Sequence, residues 1–540
     1  MTAKEHNPAD RWPAQVKYIV GNEACERFSF YGMKSILAGY IAGEAARGGL
    51  GQSADTATSI IHTFVFAVYF MPLFGAWLSD RLIGRYHTIL WVSLFYCAGH
   101  GVLACSELFA TVNTKLLCLY SGLGLIAFGS GGIKPCVSAF MGDQFKPEQS
   151  HLLQKAYGAF YWSINLGSFF SFLVVPWVKN HHGYGWAFGV PGILMALATL
   201  IFWLGTKHYV RVEPARRTKT AGFISVFFAA LRHHPGTPFA PLLNLSATLG
   251  LPLLALVSMT FIALSNQMTP VRFAVGWGAL GCVVLWYLLV LTLNLSGHSE
   301  LPDSFWLAAR AKYDEREISA ARSVGPILFV FALIPIFWSL FDQTNSTWVL
   351  QGEKMLPFTV FGFEVGAEQM QSANPAFVMM LVPLLTLVVY PRLGRMASPL
   401  KRIGLGLFLT AASYLLVAGL QRQVEAGAQL SVAWQTLPYL VLTTAEVLVS
   451  TTGLEFAFRE AAPTMKSTIM SFWLLTVAFG NLLVTAITKI FSGADPAAHN
   501  ASVSTGRFLV YAGLTFVVAI LFTAVATRYR YQDKAAAAGK

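Results

Sequence analysis

Long apolar segments recur along nearly the whole chain and are separated by short polar connections. A helix needs about 20 mostly apolar residues to cross the hydrocarbon layer of a membrane, and each segment has roughly that length. The pattern predicts a first group of six spans, a middle pair and a last group of six. The predicted spans are 17–43, 56–79, 87–107, 114–141, 152–177, 186–208, 241–265, 271–295, 324–345, 374–391, 401–421, 434–458, 467–492 and 506–528.

Two equal groups of six spans indicate internal repeats of a transporter, with a substrate path between the two bundles near the bilayer midplane. We therefore predict an all-α polytopic membrane protein with 14 transmembrane helices. Three units follow from this count. They are an N-terminal bundle over 1–210, a segment over 211–322 with a basic linker, the extra pair and a charged linker, and a C-terminal bundle with a tail over 323–540.

The composition supports a membrane protein and argues against other classes. Of 540 residues 55% are hydrophobic and only 12% are charged, which lies outside the usage of soluble domains. The formal charge of +12 does not indicate nucleic-acid binding, because the basic residues punctuate apolar segments instead of forming one basic face. The six Cys fall in apolar stretches without metal-ligand spacing, so we expect reduced, buried thiols and no metal site.

Basic residues are concentrated in alternate loops, and such loops face the cytoplasm. Examples are Arg81 and Arg85, the cluster over 211–219, and the stretch from Arg392 to Arg402. Both termini are therefore predicted to be cytoplasmic. The polar first fifteen residues lack the pattern of a signal peptide, so we predict no cleaved one.

The first span contains ionisable groups, although each one costs roughly 2.5 to 3.5 kcal/mol at mid-membrane. At 100° per residue, Glu23, Glu26, Arg27, Tyr31 and Lys34 share one helical face about 140° wide. They form one polar stripe, which we interpret as part of a pathway. The alternative is a structural ion pair, in which the two acids only neutralise the arginine and hold the helix in its bundle.

Two further spans of the first bundle contain ionisable groups. His62 shares a face with Tyr69 seven residues later, and it is either a proton relay or a histidine satisfied by a neighbouring carbonyl or hydroxyl. Lys134 lies deep in the apolar run FGSGGIKPCVSAF, so it needs a carboxylate or an anionic ligand. Glu23 and Glu26 are the available carboxylates in this bundle. Snorkelling to the interface is the alternative for Lys134.

The last group of spans contains carboxylates of its own. Asp342 lies among aromatic residues in FWSLFDQTNSTW. Glu446 and Ser450 share a helical face and are predicted to face the lumen, whereas Glu455 lies opposite and is predicted to be structural. Two other residues remain open: Asn374, just before Pro375, is a helix cap or a ligand group, and Trp473 packs in the core or lines the path.

Several motifs of the chain resemble those of the proton-coupled oligopeptide transporters, a family of the major facilitator superfamily. These are ExxERFxxYG from Glu23 to Gly32, GGIKP from Gly131 to Pro135, FYWSINLGS from Phe160 to Ser168, and the EVxxSxTGLEF…AP…MKS run from Glu446 to Ser467. DRLIGR from Asp80 to Arg85 resembles the superfamily's loop between helices 2 and 3. The extra helix pair is similar to that of bacterial members.

The resemblance implies roles for particular residues. Glu23, Glu26 and Arg27 would couple to protons with Lys134 as their charge partner, and Asp342 would be a second titratable site, paired across the bundles with Lys34. The carboxylate end of a peptide would meet a group of six residues: Arg27, Tyr31, Lys34, Tyr69, Lys134 and Asn165. The amino end would meet Asn374, Glu446 and Trp473, and Ser450, on the same helical face as Glu446, is also predicted to bind substrate.

The chain departs from the family pattern at three positions. Phe30 stands where Tyr is frequent, which removes a hydroxyl from the pocket. Lys34 stands where Arg is frequent and gives up bidentate geometry, and Asp342 replaces a frequent Glu and shortens the reach of the gate. These differences concern affinity and gating.

The resemblance implies a symporter that imports di- and tripeptides with protons across the bacterial inner membrane by alternating access, acts as a monomer and needs no cofactor. The alternative is a proton-driven carrier of another small solute, such as a drug exporter or a nitrate or amino-acid carrier. The sequence contains no pattern of paired nucleophile and base, metal ligands or phosphate loop, so we predict no enzymatic activity.

Overall fold

The computed structural model describes residues 12–214, 222–233, 251–263, 270–296, 303–393, 398–492 and 502–529. Helices dominate this part of the chain because apolar segments of this length satisfy their backbone polar groups internally only as helices in lipid. In chain order they are α1 Val16–Ala42, α2 Ala54–Phe70, α3 Pro72–Leu78, α4 Gly84–Ala104, α5 Val112–Gly142, α6 Ser150–Leu204, α7 Phe223–His233, α8 Leu251–Ala263, α9 Pro270–Leu295, α10 Asp303–Leu307, α11 Glu315–Arg322, α12 Val324–Phe331, α13 Pro335–Phe341, α14 Thr347–Gly352, α15 Ala373–Pro383, α16 Tyr390–Leu393, α17 Pro399–Glu425, α18 Thr436–Glu446, α19 Thr452–Glu460, α20 Lys466–Ser492 and α21 Thr505–Arg528.

The prediction of an all-α polytopic membrane protein is confirmed. Within the described residues, eight continuous helices are long and apolar enough to cross a membrane, or nine if the bent pair Glu315–Phe331 and Pro335–Asn345 is one span. Two of the eight, Ala54–Leu108 and His151–Lys207, are 55 and 57 residues long, about twice the length that one crossing needs. Gly84 and Gly183 have φ of 79° and 82°, which interrupts each of these runs.

The predicted number of 14 spans stays a prediction, as do the three predicted units. The charged helix α1 is 27 residues long, enough for a crossing, but too polar to be recognised by hydropathy. Of the middle pair, α9 coincides with the predicted span 271–295. The other predicted span, 241–265, lies partly outside the described residues. Its described part, 251–263, forms α8.

A small antiparallel hairpin follows α14 and pairs strands β1 Phe358–Val360 and β2 Phe363–Val365. The neighbouring segment joins the connection after α17, because the backbone N–H groups of Leu356 and Val432 bond to Leu430 and Leu356, respectively. We call this side of the molecule the hairpin end. The opposite side, where α1 begins and α21 ends, is the terminal end.

The helices pack into two groups that meet along α2 and α20. In the N-terminal half α1 packs along α6 and α4 along α5, and in the C-terminal half α17 packs along α21 and α13 along α20. Glycines permit the closest approaches, as expected where helices associate in lipid through small residues. A Cβ on Gly75 would lie only 2.7 Å from the Cα of Gly132. The lack of side chains at both positions therefore lets α3 and α5 approach closely.

The six cysteines are free thiols, as predicted. The prediction that they are buried is wrong for Cys105, which is exposed, and holds fully for Cys136. Cys105 ends the apolar run of α4 at a short 3₁₀ turn over Cys105–Leu108 at the hairpin end. Apolar neighbours in the sequence therefore did not imply a buried position for this residue.

The close approach of α4 and α5 is testable at Gly129. A Cβ there would lie 2.6 Å from the Cβ and 2.9 Å from the backbone N of Tyr96, so Gly129→Ala should lower the free energy of unfolding. Overpacking of this kind costs about 1–3 kcal/mol. Thermal unfolding of the detergent-solubilised protein would measure it.

Gly124 is the matched control, because it lies on the same helix and a Cβ there would meet nothing within 4 Å. Gly124→Ala should unfold at the wild-type temperature or slightly above it. Equal melting temperatures for the two alanine variants would contradict the packing described for α4 and α5.

Candidate functional site

The first charged cluster lies on α1. Arg27 Nε lies 2.7 Å from Glu23 Oε1 in a hydrogen-bonded ion pair, and 3.0 Å from Glu26 Oε2 in an ion contact without hydrogen-bond geometry. The three side chains are buried, with Glu26 fully inaccessible to solvent. One guanidinium thus contacts both carboxylates.

Lys134 of α5 lies beside this cluster without joining it. Its Nζ is buried and has no hydrogen-bond partner among the described residues. The ammonium lies 4.5 Å from the ring centre of Phe30 and 4.0 Å from that of Tyr69, a double cation–π contact. It points inward instead of snorkelling, and a rearrangement is required before it can pair with a carboxylate.

A second network crosses from the N-terminal to the C-terminal half. Lys34 Nζ lies 3.2 Å from Asp342 Oδ1, and the other carboxylate oxygen of Asp342 accepts a 2.7 Å hydrogen bond from Asn481 Nδ2. The amide oxygen of Asn481 lies 2.7 Å from Nδ1 of His62, whose Nε2 lies 2.9 Å from the hydroxyl oxygen of Ser346. Both nitrogens of His62 are therefore engaged across the two halves.

A third cluster lies in the C-terminal half. Asn374 donates hydrogen bonds to Glu446 Oε2 at 2.7 Å and to the Thr443 hydroxyl at 3.1 Å, so its side chain does not cap α15. Glu446 is the last residue before a π-helical turn over Val447–Thr451, which contains Ser450. Such turns are frequent at functional sites because they displace the following side chains.

The three clusters face a common region. Tyr31 on α1 lies within electrostatic reach of Arg27, Glu446 and Asp342. Tyr161 on α6 likewise lies within electrostatic reach of Glu446 and Tyr31. The two tyrosines therefore link the cationic N-terminal side to the acidic C-terminal side of one centre.

The remaining predicted site residues have mainly local contacts. The Asn165 side chain donates to the backbone oxygen of Tyr161 at 3.0 Å. Trp473 is buried and packs edge-on against Phe331 and Trp338, and its predicted role in binding stays a prediction. Glu455 forms a 2.8 Å ion pair with Arg402, in agreement with its predicted structural role.

The structure also brings together residues that sequence reasoning missed. At the hairpin end, Lys179 Nζ of α6 lies 2.5 Å from Glu368 Oε2, and the Asp55 carboxylate accepts hydrogen bonds from the backbone N–H of Ser502 and the hydroxyl of Ser492. Both contacts join the two halves. A lone Asn481 in an apolar run was the one signal that could have revealed the partner of His62 and Asp342.

This arrangement defines a class. A helical membrane protein of two packed halves, with opposite charges facing a shared centre and polar contacts joining the halves at one end, has the architecture of a major facilitator transporter. The profile of the POT family matches residues 86–503, and the chain belongs to this family. The predicted family and fold class are confirmed. The members of this family are transporters and not enzymes, which agrees with the predicted lack of enzymatic activity.

Curated relatives and solved structures agree with the assignment. Peptide transporter family 1 of Drosophila melanogaster is 34% identical over 78% of this chain and 49% of its own length. Solute carrier family 15 member 2 of Homo sapiens is 31% identical over 82% of this chain and 54% of its own length. The chain spans about half the length of the curated relatives it matches. The crystal structure of the POT family transporter PepTSo has 38% identity and a TM-score of 0.79, covering 96% of this chain and 98% of that one.

Asn481 provides a test of the network between the halves. Asn481→Ala leaves one oxygen of Asp342 and one nitrogen of His62 without their partner, which costs about 1–3 kcal/mol when both groups stay buried. We expect the hairpin end to open more frequently. Spin labels at the exposed positions Ala46 and Ala426, one on each half, would report longer distances by double electron–electron resonance.

Asn113→Ala is the control, because Asn113 is exposed at the start of α5 and lies outside the network. It should leave the distance distribution unchanged. If Asn481→Ala and the wild type gave the same distribution, the network would not hold the two halves together.

Proposed function

We propose that this chain is a proton-coupled symporter that imports di- and tripeptides across the bacterial inner membrane by alternating access. It acts as a monomer with both termini in the cytoplasm, so that the hairpin end faces outward. Protons are its coupling ion and it needs no cofactor. The observation that carries the proposal is the opposition of Arg27, Lys34 and Lys134 to Glu446 around one buried centre.

The opposed charges match the chemistry of a short peptide. A di- or tripeptide is a zwitterion with variable side chains, so a carrier of broad specificity recognises its two charged ends. The basic groups on the N-terminal half suit the carboxylate, and Glu446 held by Asn374 suits the ammonium. A nitrate carrier would have no use for Glu446, and an exporter of cationic drugs would have none for Lys134.

The Glu23, Glu26 and Arg27 cluster supports the coupling step. Protonation of Glu26 would remove one of the two carboxylates that hold Arg27, and would free the cationic side of the centre for the peptide carboxylate. Loss of the proton to the cytoplasm would restore the internal pairing and release the peptide. Each charge that moves inward gains about 2.3 kcal/mol per 100 mV of membrane potential.

The Lys34–Asp342 bond supports the alternating step. Like the Lys179–Glu368 bond it joins the two halves, so both would have to break before the hairpin end opens. A peptide that engages Lys34 would compete with Asp342 for the same ammonium. Substrate entry and the contact between the halves would then be linked through one cation.

Glu26→Gln tests the coupling. A glutamine cannot take up the proton, so we expect uptake of labelled dipeptide against its gradient in proteoliposomes to be lost while exchange of peptide between the two sides persists. Glu44→Gln, at an exposed ion pair with Arg47, is the matched control and should transport normally. Concentrative uptake by Glu26→Gln would rule out this coupling scheme.

Glu446→Gln tests recognition of the amino end. Loss of a charge-assisted bond of about 1.5–3 kcal/mol should raise the half-saturating concentration of a dipeptide roughly 10- to 100-fold. An N-acetylated dipeptide lacks the ammonium and should compete equally with wild type and variant. Free amino acids, nitrate and tripeptides as competitors would separate the peptide carrier from the other solute carriers.

Glu455→Gln is the control for that experiment, because Glu455 pairs with Arg402 away from the centre. Its half-saturating concentration should equal that of the wild type. An unchanged value for Glu446→Gln as well would exclude Glu446 as the group that binds the peptide ammonium.

A further inference from the structure

Two carboxylates from the C-terminal half converge on one glycine of the N-terminal half at the hairpin end. The position that a Cβ would take on Gly39 of α1 lies 2.7 Å from Glu368 Oε1 and 2.9 Å from Glu353 Oε1. The Tyr184 hydroxyl lies 3.3 Å from the same point. The two acidic side chains are therefore close neighbours, and the missing side chain of Gly39 makes room for both.

One carboxylate oxygen of Glu368 lacks a partner among the described residues. Oε2 of Glu368 bonds to Lys179, whereas its Oε1 is buried and accepts no hydrogen bond from the described residues. Glu368 as a whole is only 3% exposed. Because a buried acceptor without a hydrogen bond costs free energy, we expect a neighbouring group to donate a hydrogen bond to this oxygen.

The geometry points to Glu353 as that donor: we propose that Glu353 and Glu368 form a proton-binding site in which protonated Glu353 donates a hydrogen bond to Oε1 of Glu368. The proton comes from water outside the hairpin end. It returns there when the two halves separate and each carboxyl group is hydrated again. This proton is not transported, but it stabilises the closed hairpin end.

The electrostatic surroundings support the sharing of a proton. Although Glu353 as a whole is exposed, its Oε1 lies in the recess. The protein around this carboxyl group and the repulsion from Glu368 raise its pKa to about 7, against the opposing effects of Lys179 and Lys354. Burial also raises the pKa of Glu368, and Lys179 offsets part of that rise.

The other groups around the recess do not replace Glu353. Lys179 is already bound to Glu368, and Lys354 is exposed beside Glu353. Tyr184 lies within electrostatic reach of Glu368, Glu353 and Glu107, a further carboxylate on the N-terminal half, and donates no hydrogen bond to Glu368 Oε1. The recess therefore contains an excess of negative charge that one proton reduces.

The direction of the pH effect follows from the two states. In the closed form the pKa of Glu353 is about 7, and in the open form the hydrated group returns toward the usual value of about 4.3. The closed form thus binds the proton more tightly, so lower external pH favours closure and higher pH opposes it. Between pH 6 and pH 8 the ratio of closed to open forms should fall about tenfold.

The experiment uses the full chain in nanodiscs without peptide, with the six native Cys replaced and labels at Ala46 and Ala426. Wild type should shift toward longer distances when the pH is raised from 6 to 8. Glu353→Gln keeps a donor for Glu368 Oε1 but cannot lose a proton, so it should stay as closed at pH 8 as at pH 6. Gly39→Ala should also lose most of the pH response, because its methyl group separates the two carboxylates.

Glu364→Gln, on the exposed face of the hairpin, is the matched control and should respond to pH as wild type does. A pH response retained in Glu353→Gln, or absent in wild type, would overturn the proposal. The inference takes from the proposed function only the opening of the hairpin end. Because no peptide is present, its failure would leave the peptide-uptake tests unaffected, and their failure would leave this measurement intact.

Discussion

The need to neutralise charges buried in a membrane-spanning protein governs this structure. Glu23, Glu26, Lys34 and Asp342 are each less than 10% exposed, and an isolated charge there would cost several kcal/mol. Every partner that reduces this cost is another ionisable or amide side chain, and some of these partners lie on the opposite half. Charge neutralisation therefore also decides which ends of the two halves stay together.

The contacts between the halves differ in chemistry, and that difference would matter for the proposed transport cycle. The Lys34–Asp342 bond lies in the centre, where a substrate can compete for it. The Lys179–Glu368 bond lies at the hairpin end beside Glu353. Under the two proposals above, the first contact would respond to the substrate and the second to the external pH. Asn481 and His62 connect the first contact to the packing of α2 and α20.

The sequence predicted the features that follow from the free-energy cost of placing a charge in an apolar segment. A charge within 20 apolar residues has few structural explanations, so Glu26, Lys134, Asp342 and Glu446 could be identified as central groups, and the structure brings them within reach of one centre. The resemblance implied the Lys34–Asp342 pair, which the structure shows, but the sequence did not predict the partners of Lys134. Lys134 packs on the rings of Phe30 and Tyr69 instead of pairing with a carboxylate, because the same cavity offers both kinds of partner.

The numbers of acidic and basic groups in the centre also determine how many protons would make it electrically neutral. It has four carboxylates, on Glu23, Glu26, Asp342 and Glu446, and three basic side chains, Arg27, Lys34 and Lys134, so ionisation of all seven groups would leave one negative charge in excess. One bound proton makes the centre neutral, and a zwitterionic peptide leaves that balance unchanged because it brings one charge of each sign. Under the proposed function, binding of a proton and a peptide together would give a neutral loaded carrier, whose buried charges would no longer oppose the passage of the centre from one side of the membrane to the other.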